Sequence, residues 1–295
     1  MERSPGQLET LVRSCTPALT GLVGFHILLA AMQDDKLRQV PSTPKASVAI
    51  VIPCYNEESR LWDTIREVAL FCQRAAFSCQ VVLVDDGSKD ATRDIIEQVA
   101  QAHSFILPVL FPCNRGKGAA LAQGVQATTS DAVVFFDADL AYPLVLVETA
   151  LQELQAGADV VIGARDLDAS SMAVSRPSLM RRISHNAFSA MVDHYLHLGI
   201  PDTQCGFKAF SGPVARALFA SLTVERFAFD VELLAVARLW GLKIRRIPVK
   251  AIQREGSSVR LFRDSIEMWR ALAMIRRRVR TGCYPTSLPQ VAEQP

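Results

Sequence analysis

The chain has 295 residues, enough for one large buried core or two small ones, and its 32 Lys and Arg nearly balance its 30 Asp and Glu. A charge this even gives no overall field that would attract nucleic acid, so we expect no nucleic-acid partner. The seven cysteines are scattered singly without a Cys-x-x-Cys pair. This spacing favours a reducing compartment over a disulfide framework and gives no sign of a zinc site.

Residues 1–45 are predicted to form an N-terminal extension. It carries no charged residue from Ser14 to Gln33 and ends in the linker-like Pro41-Ser-Thr-Pro44. A membrane span needs about 20 strongly apolar residues, and Pro17 and several polar residues weaken this one. Three interpretations stay open for the apolar segment: a packing or interfacial helix, a membrane anchor, or a signal peptide.

Strands and helices are predicted to alternate after the linker. Buried strands are indicated by continuous apolar runs, and helices by apolar residues at helical spacing. The predicted strands are 47–52, 80–84, 106–111, 132–136 and one beginning at 159. The helices between them begin near 61, 91, 117 and 144. This order predicts an α/β fold with a mostly parallel, doubly wound sheet, in which ligands bind at the carboxyl ends of the strands.

Acidic motifs follow the first two predicted strands. Pro53-Cys-Tyr-Asn-Glu-Glu58 follows the first strand, and Asp85-Asp-Gly-Ser-Lys-Asp90 follows the second. Helix starts alone would explain Glu57 and Glu58, and capping would explain Asp90. Capping does not explain the adjacent carboxylates of Asp85 and Asp86. These carboxylates are suited to accept hydrogen bonds from a base or a ribose.

Two further motifs follow the third and fourth predicted strands. Asn114-Arg-Gly-Lys-Gly118 lacks the frame of a P-loop, but its glycines permit a ligand to approach the backbone. Asp137-Ala-Asp139 offers two hard oxygen ligands, which suit Mg²⁺ or Mn²⁺ carrying a diphosphate. Taken alone, Asp-x-Asp is common and also fits a polar strand end, so the order of the four motifs carries the prediction.

The pattern changes after Arg165. A helix is predicted over about 179–198, and an Arg-rich helix over about 260–280 with seven Arg against two acids. Apolar residues recur along the second helix at helical spacing: Leu261, Met268, Leu272, Ile275 and Val279. A basic amphipathic helix is typical of binding at a membrane surface. The alternative is a helix that packs on the domain and leaves its basic face in solvent.

In this order, the four strand-end motifs resemble the large inverting glycosyltransferase family with the GT-A fold. More narrowly, the chain resembles the polyprenyl-phosphate, or dolichyl-phosphate, sugar synthases. That likeness rests on Gly163-Ala-Arg165, Arg181-Arg182, Asp202-Thr-Gln-Cys-Gly-Phe-Lys-Ala-Phe210 and Phe227-Ala-Phe-Asp-Val-Glu232. The form Asp-Thr-Gln-Cys-Gly-Phe-Lys is closer to the dolichyl-phosphate glucosyltransferases than to the mannosyl enzymes.

The resemblance implies roles for individual residues, which we state as expectations. The nucleoside pocket would be lined by Pro53, Tyr55, Glu57, Asp85, Asp86 and Lys117. Asp137 and Asp139 would hold the metal and the diphosphate. Arg165 and Arg182 would meet the lipid phosphate, and Asp202 or Asp230 would act as catalytic acid, base or electrostatic group. Arg260 would supply charge near the diphosphate, although its loop departs from the family's Gly-Ser-Lys pattern.

The resemblance implies an inverting hexosyltransferase that uses Mg²⁺ or Mn²⁺ and moves a hexose, glucose from UDP-glucose being favoured, onto a polyprenyl phosphate. Three alternatives remain: a soluble glycan or secondary-metabolite acceptor, GDP-mannose as donor, and a non-catalytic nucleotide-sugar binding protein. We expect a cytoplasmic protein that is peripheral on the membrane or anchored by its N-terminal apolar segment. The expected parts are an extension (1–45), a GT-A domain (46–262), and a basic helix with a tail (263–295).

Overall fold

A computed structural model of the protein describes residues 46–167, 179–252 and 261–289, with the backbone alone for 179–187 and 261–267. The described chain forms one seven-stranded sheet in the order β3-β2-β1-β4-β6-β5-β7. Its strands are β1 (Ser47–Cys54), β2 (Ser78–Asp85), β3 (Ile106–Leu110), β4 (Ala132–Phe135), β5 (Val160–Ala164), β6 (Lys208–Ser211) and β7 (Ile244–Pro248). Only β6 is antiparallel to its neighbours, so the predicted mostly parallel sheet of the GT-A type is confirmed.

Eight helices flank the sheet in the described part of the chain. They are α1 (Leu61–Arg74), α2 (Thr92–Ala102), α3 (Lys117–Gln126), α4 (Leu146–Gln155), α5 (Leu179–Leu196), α6 (Gly212–Ser221), α7 (Phe229–Leu239) and α8 (Leu261–Arg280). A short 3₁₀ turn at Arg165–Leu167 follows β5. The sequence predictions had not assigned β6, α6 or β7.

The sheet has a hydrophobic core on each face because strand side chains alternate between faces. In β1, Ala49 and Val51 pack with α3, α6 and α7, while Val48, Ile50 and Ile52 pack with α1, α2 and α4. All five are fully buried. The helices therefore clamp the central strands from both sides and hold the carboxyl ends of β1, β2 and β4 side by side at one edge.

The apolar stripe of α8 packs on the protein. Leu272 and Ile275 are buried, and Met268 and Val279 pack against the same core. For these residues the structure favours the packing alternative over a stripe that faces lipid. Trp269 and Met274 instead lie exposed on the outer side of α8.

In the described residues, no helix is both long and apolar enough to cross a bilayer. The apolar segment 14–33 lies outside the described residues, as does the linker that follows it. The division into 1–45, 46–262 and 263–295 stays a prediction.

Candidate functional site

The loops after β1 and β2 are tied together by polar contacts. The Asn56 N–H donates to Ser88 Oγ at 3.0 Å, and the Lys89 N–H returns a hydrogen bond to Asn56 Oδ1 at 2.8 Å. Asn56 has a φ of 54°, a left-handed conformation that Asn tolerates well. The Glu57 N–H donates to Thr92 Oγ1 at 2.7 Å. These contacts fix the two loops in one rigid rim, with Tyr55 exposed on it.

Asp85 leaves one carboxylate oxygen for a ligand. The side chain is fully buried, and its Oδ1 accepts the Ser88 N–H at 3.0 Å. Its Oδ2 is buried and has no hydrogen-bond partner among the described residues. An unpaired buried acceptor is costly, so its presence at a strand end points to a ligand N–H. Pro53 lies beside it in the β1–β2 register, opposite Val84.

Asp86 faces inward and is fully used by the protein. Its Oδ1 accepts the Arg115 N–H at 2.7 Å, and its Oδ2 accepts Asn114 Nδ2 at 2.8 Å and the Gly116 N–H at 2.9 Å. Burial raises the pKa of Asp86, and these backbone hydrogen bonds offset only part of the effect. Asp86 therefore shapes the Asn114–Gly118 turn, and its contact with a ribose stays a prediction.

The turn carries Lys117 to the Asp-rich edge, where its Nζ lies 2.5 Å from Asp137 Oδ1. Burial lowers the pKa of Lys117, but the carboxylates of Asp137 and Asp230 outweigh burial and the pKa is raised. Lys117 therefore stays protonated. Burial also raises the pKa of Glu57; Arg60 opposes this rise, while Asp139 and Asp137 add to it. Glu57 thus belongs to the same cluster of acids.

Asp137 and Asp139 suit a divalent cation by the chemistry of their donors. Asp139 uses Oδ1 to accept the Ala141 N–H at 3.0 Å, which orients the carboxylate. Thr64 of α1 donates to the Ala138 carbonyl at 2.6 Å and anchors the loop between them. No third His, Cys, Asp or Glu joins them as a metal cluster in the described residues. Water and a ligand diphosphate would have to complete the coordination, as is usual for Mg²⁺.

Gly206 was not among the predicted site residues, yet it abuts Asp137. A Cβ at this position would lie 2.5 Å from Asp137 Oδ2, so a side chain here would force the carboxylate to move. The same Cβ would lie 3.5 Å from the ring of the buried Tyr142. The segment before β6 therefore closes on the Asp137–Asp139 loop from the opposite side.

Arg165 and Asp202 form a directed pair. Asp202 is 1% exposed and accepts from Arg165 Nε at 2.8 Å, from Nη2 at 2.7 Å and from the backbone N–H at 3.1 Å. Burial lowers the pKa of Arg165, but the hydrogen bonds and charge of Asp202 outweigh it and the pKa is raised. The guanidinium side chain remains 41% exposed. Asp202 thus orients Arg165, and its role as acid or base stays a prediction.

Asp230 lies at the start of α7 and pairs with a buried lysine that the sequence had not singled out. Lys208 Nζ lies 2.6 Å from Asp230 Oδ1 and donates to the Cys205 carbonyl at 2.8 Å. Burial raises the pKa of Asp230, and the charges of Lys208 and Lys117 only partly offset it. Asp137, Lys117, Asp230 and Lys208 thus form a row of alternating charge. In the sequence Lys208 is a lone charge within the apolar run 207–210, and no spacing marks it as a site residue.

Two predicted site residues lie where the structure gives no side-chain geometry. Arg182 falls in the part of α5 for which only the backbone is described, and Arg260 lies outside the described residues. Their expected contacts with phosphate stay predictions.

Comparisons with known proteins identify the relatives of this chain. The family model described as Glycosyl transferase family 2 matches residues 49–219. Dolichyl-phosphate beta-glucosyltransferase of Homo sapiens is 34% identical over 87% of this chain and 83% of that protein. The enzyme of the same name from Drosophila melanogaster is 32% identical over 85% of this chain and 81% of its own length.

Solved structures share the fold at lower sequence identity. Mannosyl-3-phosphoglycerate synthase from Rubrobacter xylanophilus superposes with a TM-score of 0.59 at 19% identity, covering 85% of this chain and 79% of that one. Glucosyl-3-phosphoglycerate synthase from Mycobacterium tuberculosis, in complex with Mn²⁺ and UDP-glucose, gives 0.53 at 20% identity, covering 81% and 78%. The fold, the strand-end motifs and the family model agree, and this chain belongs to glycosyl transferase family 2.

Proposed function

We propose that this enzyme transfers glucose from UDP-glucose to a polyprenyl phosphate of the dolichyl class, with inversion at the anomeric carbon. One observation carries the proposal: Arg165, held by Asp202, faces the same edge of the sheet as the acids Asp137 and Asp139. A fixed guanidinium suits a phosphate acceptor, and paired carboxylates suit a metal-bound diphosphate. The names of the relatives at 31–34% identity support glucose as the sugar and dolichyl phosphate as the acceptor.

The donor would lie along the rim formed by β1, β2 and β4. Asp85 Oδ2 would accept an N–H of the base, and uracil offers one at N3. Asp137 and Asp139 would hold Mg²⁺ or Mn²⁺, which when bound would neutralise the charge that builds on the departing diphosphate. Lys117 would add a second positive charge there, because its Nζ already lies against Asp137.

The reaction would be a single in-line displacement. An acceptor phosphate oxygen would form a bond to the anomeric carbon while the bond from that carbon to the UDP oxygen breaks and its electron pair leaves with UDP. Glucose is α-linked in UDP-glucose, so one displacement gives a β-linked product. The acceptor phosphate is already ionised near pH 7. The residues would therefore act by orientation and charge, with Arg165 aligning the acceptor.

Transfer of radiolabelled glucose to a prenyl phosphate in the presence of Mn²⁺ tests the proposal. We expect Asp139→Ala to lose at least about a hundredfold in rate, because transition-state charge loses its stabilisation. Asp63→Ala, at an exposed carboxylate of α1 paired with Arg66, is the matched control and should keep wild-type transfer. Equal urea midpoints for the three proteins would exclude unfolding as the cause.

Each alternative has its own outcome in this assay. Unchanged activity in Asp139→Ala would contradict the metal assignment. Transfer from GDP-mannose in preference to UDP-glucose would replace the donor, and transfer to a soluble glycan but not to prenyl phosphate would replace the acceptor. UDP-glucose binding without turnover on any acceptor would favour a non-catalytic role.

We also propose that the enzyme meets the membrane surface through the exposed side of α8. Trp269, Met274 and Phe227 are exposed apolar side chains. Phe227 and Arg270 line one pocket with Met274, while Trp269 lies next to Arg270 on the same helix with its ring edge-on to Tyr195. Aromatic and basic groups together favour anionic lipid interfaces. The wild type should float with anionic liposomes, and Trp269→Gln should float less, whereas Ile252→Gln, at an exposed residue outside this group, should behave as wild type. A wild type that stays in the aqueous fraction would overturn this proposal.

A further inference from the structure

A second buried carboxylate of α7 lies outside the acidic edge of the sheet. Glu232 has no exposed surface, and its two oxygens accept four hydrogen bonds. Oε2 accepts the Thr223 N–H at 2.9 Å and the Val224 N–H at 2.8 Å. Oε1 accepts the hydroxyls of Thr223 and Tyr284, both at 2.5 Å. The donors come from two segments that are distant in sequence, so Glu232 joins the loop 222–228 to the C-terminal segment (residues 281–289).

The loop 222–228 fixes the position of the Asn114–Gly118 turn. The Ala119 N–H, in the first turn of α3, donates to the Glu225 carbonyl at 3.0 Å. A Cβ at Gly116 would lie 2.7 Å from that carbonyl oxygen, and a Cβ at Gly118 would lie 2.6 Å from the Val224 carbonyl oxygen. The two glycines therefore let the backbones touch directly. We therefore expect a shift of the loop to press on the glycine backbones or to stretch the Ala119 hydrogen bond, and so to disturb the turn.

The Asn114–Gly118 turn also positions Lys117, whose Nζ lies 2.5 Å from Asp137 Oδ1. We propose that Glu232 is a positioning residue for the nucleoside diphosphate, and that Tyr284 supports it, so that the C-terminal segment helps to set the affinity for the donor. This inference rests on the proposed function and adds a part of the chain that lies after α8. The expected effect falls on the donor and spares the acceptor, because Arg165 and Asp202 make none of these contacts.

Tyr284 is suited to this role because it is a neutral donor. The side chain is 3% exposed, and burial together with the adjacent Glu232 raises the pKa of its phenol. Its proton therefore stays on the hydroxyl and is shared with the carboxylate. A hydrogen bond to a charged group is stronger than one between neutral groups, so losing it should loosen the loop measurably.

The C-terminal segment offers a matched control. It is anchored a second time where Trp240 Nε1 donates to the Pro285 carbonyl at 2.8 Å. Tyr284→Phe and Trp240→Phe each remove one hydrogen bond to the same segment, but only the first acts on Glu232. A purely structural role for the segment would make the two variants alike. Glu232→Gln is the stronger variant, since its amide would oppose a hydrogen-bond donor.

The experiment measures UDP affinity with Mn²⁺ by calorimetry, the KM for donor and acceptor, and thermal unfolding. For Tyr284→Phe we expect the Kd for UDP and the KM for the donor to rise about three- to tenfold, while the KM for the acceptor stays unchanged. Trp240→Phe should stay within about twofold of wild type in both. Glu232→Gln, if it folds, should raise the Kd for UDP and the KM for the donor more than Tyr284→Phe does.

Equal effects of Tyr284→Phe and Trp240→Phe on UDP affinity, or a Tyr284→Phe variant that binds UDP as wild type, would overturn the inference. An equal rise in the KM for donor and acceptor in Tyr284→Phe would overturn it as well. A wild type that binds UDP but transfers nothing to polyprenyl phosphate would overturn the proposed function alone, because the affinities still decide the role of Glu232. A wild type that binds no UDP would overturn both.

Discussion

Two adjacent aspartates have opposite uses at the end of β2. Asp85 and Asp86 are both buried. Both carboxylate oxygens of Asp86 accept hydrogen bonds from the turn 114–116, whereas Oδ2 of Asp85 has no partner among the described residues. The difference follows from strand geometry, because neighbouring side chains leave a strand in opposite directions. One carboxylate therefore builds the site, and the other keeps an oxygen that on the proposed function would accept a hydrogen bond from the base.

At this scale we predict that Asp85→Asn weakens UDP binding about ten- to a hundredfold, because on the proposed function an amide N–H₂ would replace the oxygen that accepts the N–H of the base. Titration calorimetry with UDP and Mn²⁺ measures the effect. Asp86→Asn serves as the comparison and should lower the urea midpoint, since three hydrogen-bond donors lose a charged acceptor. Unchanged UDP affinity in Asp85→Asn would contradict the assignment of Oδ2.

Site residues were predictable from the sequence where they directly follow a predicted strand. Asp137 and Asp139 lie at the edge that the motif order indicated, but sequence alone could not tell which of Asp85 and Asp86 points inward. Lys208 and Gly206 were missed as site residues. A lysine within an apolar run has no pattern of its own, and the need for glycine at 206 appears only when Asp137 is placed against it.

At the scale of elements, β6 and α7 are joined by the buried pair Lys208 and Asp230. Lys208 has no exposed surface, and its Nζ also lies 5.5 Å from the centre of the Phe135 ring on β4. A buried charge is retained only with a partner, because removal from water is costly. The pair therefore ties the first turn of α7, the helix that carries Glu232, to β6.

We expect Asp230→Asn to lower the free energy of unfolding by about 3–5 kcal/mol, because Lys208 would stay buried without its counter-charge. The double variant Lys208→Met/Asp230→Leu should recover most of this loss, since it removes both charges together. Urea denaturation followed by circular dichroism measures both. Equal destabilisation of the single and double variants would contradict the explanation by an uncompensated Lys208 charge. The catalytic role of Asp230 stays a prediction under either outcome.

The elements were predictable in the first half of the chain and less so in the second. Continuous apolar runs marked β1 to β5, and such runs are typical of strands that are buried on both faces, as β4 and β5 are. The strand β6 has only four residues, Lys208–Ser211, and one of them is charged. Its antiparallel direction depends on its partners β4 and β5, which local pattern does not contain.

At the scale of the whole molecule, the candidate donor site is built from loops that follow β1, β2, β3 and β4 and from α7 behind them. Binding across so many elements links ligand occupancy to global stability, because a ligand that binds only the folded state shifts the unfolding equilibrium.

We therefore predict that UDP with Mn²⁺ raises the melting temperature. A ligand at a hundred times its Kd contributes about 2.7 kcal/mol. Differential scanning fluorimetry measures the shift, which EDTA should largely abolish and GDP should not reproduce. A shift that is the same with and without the metal would contradict a diphosphate held through Asp137 and Asp139.

The reversed strand β6 has a consequence for how such an enzyme diversifies. Because β6 starts at the edge where the parallel strands end, residues 202–207 reach the site from the later part of the chain, opposite motifs that all precede residue 140. On the proposed function, the residues that would contact the donor and those that would contact the acceptor thus lie in separate stretches of sequence, although the later stretch also supports the donor site through the loop 222–228 and α7. Mutations in the later stretch can alter acceptor choice while the nucleotide half is inherited unchanged. Gly206 and Glu232 are exceptions in the later stretch, since a side chain at Gly206 would displace Asp137 and Glu232 holds the loop that touches the Asn114–Gly118 turn.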